Sequence, residues 1–143
     1  MKRIFALLLV LCTLFAGCAE KAPSVEVNLS KMSSTVAYAQ LTAMKIAPQE
    51  YFGKQVSIRG QFATYQASDA AGNPVPGQVY FACLISDVTA CCSQDLEFVP
   101  ADGSLSYPED YPAVGSLIAI TGEFQSYEEA GLTYYRLVNA KFT

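Results

Sequence analysis

The sequence predicts a mainly β protein in which five strands close into a small barrel behind one α-helix. Three observations predict it. Segments rich in valine, tyrosine and phenylalanine alternate apolar and polar residues at the two-residue period of a strand. Clusters of proline, glycine, asparagine and aspartate punctuate them at Ser68–Gly77 and Ala101–Val114. The pattern Val56-Ser57-Ile58-Arg59-Gly60-Gln61-Phe62-Ala63-Thr64-Tyr65 recurs as Ile118-Ala119-Ile120-Thr121-Gly122-Glu123-Phe124-Gln125-Ser126-Tyr127. Two long strands with a central glycine suit a closed barrel, whose strands bend sharply to serve two sides of its wall.

The elements follow in order. Ser33-Ser34-Thr35 offers N-cap residues for a helix running to about Ala47, with Val36, Ala39, Leu41, Ala43, Met44 and Ala47 as a loose apolar stripe and Pro48 as its stop. Gln55–Tyr65 is the first strand, with Val56, Ile58, Gly60 and Phe62 on one face. Val79–Ser86 is the second and Leu96–Val99 a short third. Leu117–Gln125 is the fourth, and Thr133–Phe142 the fifth after a Glu129-Ala130-Gly131 turn. Five strands in this order, with glycine kinks in the first and fourth, are similar to an OB-fold barrel.

The N-terminus supplies an address. Met1-Lys2-Arg3 is a positive start, and Ile4–Phe15 is an apolar run shorter than the roughly 20 residues of a membrane-spanning helix. Leu14-Phe15-Ala16-Gly17-Cys18 resembles a bacterial lipobox. The resemblance implies cleavage between Gly17 and Cys18 and a diacylglyceryl group on the Cys18 sulfur, with Phe15 departing from the usual aliphatic residue. The domain division that follows is a lipoprotein signal peptide at 1–17, a lipidated cysteine and flexible tether at 18–32, and a helix with barrel at 33–143. A short extended segment at Val25–Leu29 would end the tether. Ala19 carries no aspartate retention signal, so outer-membrane sorting is implied for a host with two membranes.

Composition narrows the partners. The whole chain carries a formal charge of −4 and no histidine, and removing the signal takes Lys2 and Arg3 away. Arg59 and Arg136 are the only arginines in the barrel strands. So few basic residues disfavour nucleic acid as a partner. The remaining partners are the membrane, through the N-terminal lipid, and an envelope protein or small ligand.

Glu50-Tyr51-Phe52-Gly53-Lys54-Gln55-Val56-Ser57-Ile58-Arg59-Gly60, the glycine-bent fourth strand and the closing Leu137-Val138-Asn139-Ala140-Lys141 resemble small, uncharacterised OB-fold lipoproteins of bacteria. Thr89-Ala90-Cys91-Cys92, followed by an acidic residue, is similar to the extracytoplasmic domain of permease-associated bacterial membrane proteins. That second likeness implies zinc at a double cysteine on a similar barrel. It does not bring a transport role, because the membrane helices of that family are missing here.

Cys12 leaves with the signal and Cys18 is consumed by lipid, so Cys83, Cys91 and Cys92 remain. Three readings stay open. Cys83 shares a strand face with Val79, Phe81 and Ile85, and so reads as a buried small hydrophobe or the partner of a disulfide to Cys91 or Cys92. The three thiols also suit zinc or copper(I), with Asp87, Asp95 or Glu97, water or a partner as fourth ligand. A vicinal Cys91–Cys92 disulfide would be strained and labile, but the acidic neighbourhood should raise the thiol pKa values.

Other groups are weaker candidates. Glu109-Asp110 reads as solvated surface, and Glu128-Glu129 as a polar hairpin tip. Tyr65, Tyr80, Tyr134 and Tyr135 form a candidate ligand face of the stacking kind. No nucleophile–base pair or phosphate-cradling loop is found, so no catalysis is expected. The expected function is a membrane-anchored binding module, with a thiol-based metal carrier or redox partner at the Cys91-Cys92 turn as the alternative.

Overall fold

The computed structural model describes residues 26–69, 71–89 and 91–143. The elements are β1 (Val27–Asn28), α1 (Ser34–Ile46), β2 (Gln55–Ser68), β3 (Pro74–Ser86), β4 (Ser93–Pro100), β5 (Leu117–Glu129) and β6 (Leu132–Phe142). The fold is mainly β and barrel-like with one α-helix, as expected. The expected signal peptide, the expected lipidation site and most of the expected tether lie outside the described residues.

The closure follows from one bent strand. The first half of β2 pairs antiparallel with β5, from Gln55↔Glu123 to Gln61↔Leu117. Its second half pairs antiparallel with β3, from Gln61↔Leu84 onward. β3 then pairs with β4, β4 runs parallel to β6, and β6 returns to β5. Gln61 is thus where β2 passes from one neighbour to the other, and Gly60 sits beside it. A Cβ at Gly60 would overlap the Leu84 carbonyl oxygen, so only glycine lets these backbones approach so closely. Gly122 repeats the device on β5. A Cβ there would lie 2.8 Å from the Val138 carbonyl oxygen, where the β5–β6 register shifts between Thr121 and Glu123.

The inward residues of the wall are Val56, Ile58 and Phe62 on β2, Cys83 and Ile85 on β3, Leu96 and Phe98 on β4, Ile118, Ile120 and Phe124 on β5, and Leu137 on β6, all buried. Helix α1 joins this core through Ala37, Leu41 and Met44. These lie at i, i+4 and i+7, one helical face. The looser stripe expected from sequence is therefore corrected at Val36, Ala39 and Ala43, which are exposed. Ser33 takes the N-cap position in extended conformation without a side-chain cap bond.

Several boundaries move, among them the end of β2, at Ser68, and both ends of β4, at Ser93 and Pro100. β3 begins at Pro74, inside the segment expected to be a loop, because Asp69 Oδ1 accepts from the backbone amides of Ala71 and Asn73 and tightens the turn ahead of it. β5 runs on to Glu129, so the β5–β6 hairpin is longer than alternation alone suggested. Val27 and Asn28 pair parallel with Val56 and Ser57, and Leu29 is buried in the core. The chain is thus docked on the barrel from β1 onward, before the expected start of the domain at Ser33.

Candidate functional site

The wall's outer face turns concave where β4 is flanked by the far ends of the β2–β3 and β5–β6 hairpins. A groove of ≈ 620 Å³ lies there, lined by Tyr65, Tyr80, Tyr127, Tyr134 and Tyr135, with Asp95, Glu97 and Glu129 as its acids and Lys45 as its base. This size lies within the usual range of small-molecule sites.

Strand parity assembles the lining. Leu96 and Phe98 point inward on β4, which turns Asp95 and Glu97 outward. Tyr65 and Tyr80 are cross-strand partners between β2 and β3, and Tyr127 and Tyr134 between β5 and β6. The second pair stacks, with ring centroids 5.4 Å apart. Tyr135 has the opposite parity and stacks on Phe124 of the core at 5.7 Å, reaching the groove from beneath.

The polar groups are bound to one another. The Tyr127 hydroxyl donates to Glu97 Oε2 at 2.6 Å, and the Tyr80 hydroxyl donates to Glu129 Oε1 at 2.5 Å. Lys45 Nζ donates to the Asp95 carbonyl oxygen at 2.7 Å and lies 3.5 Å from its carboxylate. The Arg136 guanidinium covers one face of the Tyr127 ring at 4.5 Å.

Burial sets the electrostatics. Desolvation raises the Glu97 carboxyl above its ordinary value, and the Tyr127 bond offsets only part of that. Desolvation, then the Glu97 bond, pushes the Tyr127 phenol far up. Desolvation and the neighbouring Asp95 raise Tyr65. The bond to Glu129 raises Tyr80. All these phenols stay protonated at neutral pH.

The structure brings Tyr65, Tyr80, Tyr134 and Tyr135 to this one groove. Sequence reasoning passed over Tyr127, which occupies in the second copy of the ten-residue pattern the place Tyr65 holds in the first. It also assigned Asp95 and Glu97 to the cysteine turn, whereas both face the groove. Glu129 is more than a hairpin tip, since it holds Tyr80.

The thiols divide. Cys83 is fully buried, and burial pushes its thiol up to about 12. It cannot share a ligand set with the turn, which corrects the triad of Cys83, Cys91 and Cys92. Cys91 and Cys92 are exposed and, like Cys83, unpaired. Their Sγ atoms lie 3.6 Å apart, and Cys91 Sγ is 3.7 Å from Asp87 Oδ2. The ligand atoms of Asp87, Cys91 and Cys92 all fall within 4.8 Å of one another. Thr89 fixes the geometry by donating its hydroxyl to Asp87. The bond with Cys91 raises the Cys92 thiol. Desolvation pushes Asp87 up, but the bonds from the Thr89 side chain, the Cys92 backbone and the Cys91 thiol outweigh it together and hold the carboxyl low.

No protein-family model and no curated protein matches the chain. Among solved structures, the chain is similar to a "putative nucleic acid-binding lipoprotein" from Klebsiella pneumoniae subsp. pneumoniae MGH 78578, at 22% identity over 76% of this chain and 87% of that one, with a TM-score of 0.46. That description corrects one expectation, that nucleic acid is disfavoured as a partner. The expectation rested on the chain's total charge, whereas a single strand is also held by stacking on aromatic rings, which total charge does not measure.

Proposed function

We propose that the chain is a membrane-anchored extracytoplasmic lipoprotein whose OB-like barrel binds a small ligand in the tyrosine groove, without catalysing a reaction on it. The observation that carries this reading is the meeting of five tyrosines and three carboxylates on one groove of ≈ 620 Å³. The groove lies over the third strand of the barrel, between its first and last hairpins. OB barrels take ligands on that face and those loops. The anchor rests on the lipobox-like Leu14–Cys18, with the outer membrane as its place in a host that has two. Binding without chemistry is supported by Glu97 and Glu129, each engaged by a phenol, with no cysteine or histidine in the lining.

The test is a nuclear magnetic resonance titration of the full-length protein in detergent micelles with a panel of small polar compounds. Shifts should cluster on β4 and the facing ends of the two hairpins. Shifts confined to the cysteine turn, or none from the whole panel, would sink the reading.

A second reading is favoured by the convergence of Asp87, Cys91 and Cys92. Two thiolates and a carboxylate fit three corners of a zinc or copper(I) site, leaving a position for water or a partner's ligand. A redox role is less favoured, since the raised Cys92 thiol runs against a reactive thiolate. Zinc titration of wild type against a Cys91→Ser, Cys92→Ser variant checks the metal reading. It requires one metal per chain in the first and none in the second.

A further inference from the structure

The charged groups lining the groove are three carboxylates, Asp95, Glu97 and Glu129, against the single ammonium of Lys45. Lys45 is committed to Asp95, the only ion pair among the described residues. Gln66 Nε2 donates to the backbone carbonyls of Val75 and Gln78, and the Thr133 hydroxyl donates to Glu128. The Tyr80 and Tyr127 phenols have given their single protons to Glu129 and Glu97. Each of those carboxylates keeps unused lone pairs and forms no ion pair among the described residues, although Arg136, opposite Glu97 in the β4–β6 register, already offsets a small part of its charge. Glu97 is also partly removed from water, a cost that an opposite charge relieves and a neutral guest does not.

The rings supply a second, independent indication. Arg136 already lies over one face of Tyr127, so this wall accommodates a cation against an aromatic ring within the protein itself. Tyr134 stacks beside it, and Tyr65 lines the opposite side from β2. Aromatic walls around unpaired carboxylates suit a positive head on an apolar stem.

The geometry points to an organic cation as the ligand of this groove, an amine or guanidinium on an apolar stem, with Glu97 and Glu129 as charge partners and Tyr65, Tyr127 and Tyr134 as ring contacts. This inference rests on the ligand-binding reading of the same groove. The surplus of carboxylates in its lining also draws cations toward it, an effect that weakens with salt.

The experiment is calorimetry on the full-length protein in a non-ionic detergent, with resonance shifts locating each bound probe. The probes are 1,5-diaminopentane, spermidine, the neutral isostere 1,5-pentanediol, maltotriose and a short oligothymidylate. Both amines should bind in the groove, at least about tenfold tighter than the diol, and weaken as sodium chloride is raised. Glu97→Gln and Glu129→Gln should each weaken the diamine by about tenfold, the scale of one charge-assisted hydrogen bond. The comparison of diamine with diol uses wild type alone, so it survives a variant that fails to fold. Diol, sugar or oligothymidylate binding in the groove as well as the diamine would overturn the cation inference while leaving the groove a binding site. Diamine binding that both substitutions leave unchanged would also overturn it. If no probe moves a groove resonance, the inference and the groove reading fall together.

Discussion

The Tyr127 hydroxyl donates to Glu97 Oε2 at 2.6 Å across the gap between β5 and β4, strands that β6 separates in the sheet. The bond ties the β5–β6 hairpin to the groove floor. Burial keeps the half-buried Glu97 carboxyl raised despite that bond.

The sign of the pH effect follows. Glu97 binds its proton more tightly folded than unfolded, so the folded state holds more protons between its ordinary value of 4.5 and its raised folded value. Stability contributed by Glu97 is therefore full below that window and is lost as pH rises through it. Glu97→Gln should remove this loss, because its amide oxygen still accepts from Tyr127 and never ionises. Thermal melts from pH 4 to 8 should show wild type losing ground to the variant as pH rises. A constant difference across that range would contradict the account.

Gly60 is the place where the barrel tolerates least. Gly60→Ala sets a methyl group against the Leu84 carbonyl oxygen, and backbone cannot rotate aside as a side chain can. Overpacking of this kind costs about 1–3 kcal/mol, and the severity here puts the expectation at the upper end or beyond. Gly122→Ala meets a looser obstacle at 2.8 Å and should cost less. Urea denaturation of both variants checks the order.

What could be read from the sequence was what period and glycine placement control. The two-residue alternation and the repeated Gly60 and Gly122 patterns located the barrel strands and their bends, because burial of one strand face imposes that spacing. Strand ends were harder. Pro74 and Pro76 suggest a loop, yet Pro74 pairs with Ser68 near the tip of a hairpin, where a missing donor is tolerated. The groove was half legible. Tyrosines on outer faces could be found, but their meeting with Glu97 and Glu129 depends on which strands the closure sets side by side, a non-local fact. The same limit explains Cys83. Eight positions from Cys91, it is separated from the turn by pointing inward on β3.

The thiols should therefore react in two classes. Cys91 and Cys92 are exposed, whereas Cys83 is fully buried with its thiol pushed up to about 12. Treating the native protein with iodoacetamide under reducing conditions should modify Cys91 and Cys92 before denaturation and Cys83 only after it, as peptide mass mapping would show. Modification of Cys83 at a matching rate would mean that the wall opens there. Cys83→Ser would bury a hydroxyl without an assured acceptor and should cost about 1–3 kcal/mol, while Cys91→Ser should change stability by less than about 0.5 kcal/mol.

Leu29 decides where the folded unit begins. It lies on the 3-10 turn after β1 and is 1% exposed, and the turn beside it is held by a hydrogen bond from Ser57 to Ser30 at 3.2 Å. A residue in a free tether would contribute nothing to stability. Leu29 is instead packed in the core with Leu41 and Met44, so Leu29→Ala should cost about 2–5 kcal/mol by leaving a cavity there. Val36→Ala, on the exposed side of α1, is the control and should cost less than about 0.5 kcal/mol. If both substitutions are silent in urea denaturation, the segment from β1 to Met32 does not belong to the cooperative fold, and the tether extends to the start of α1.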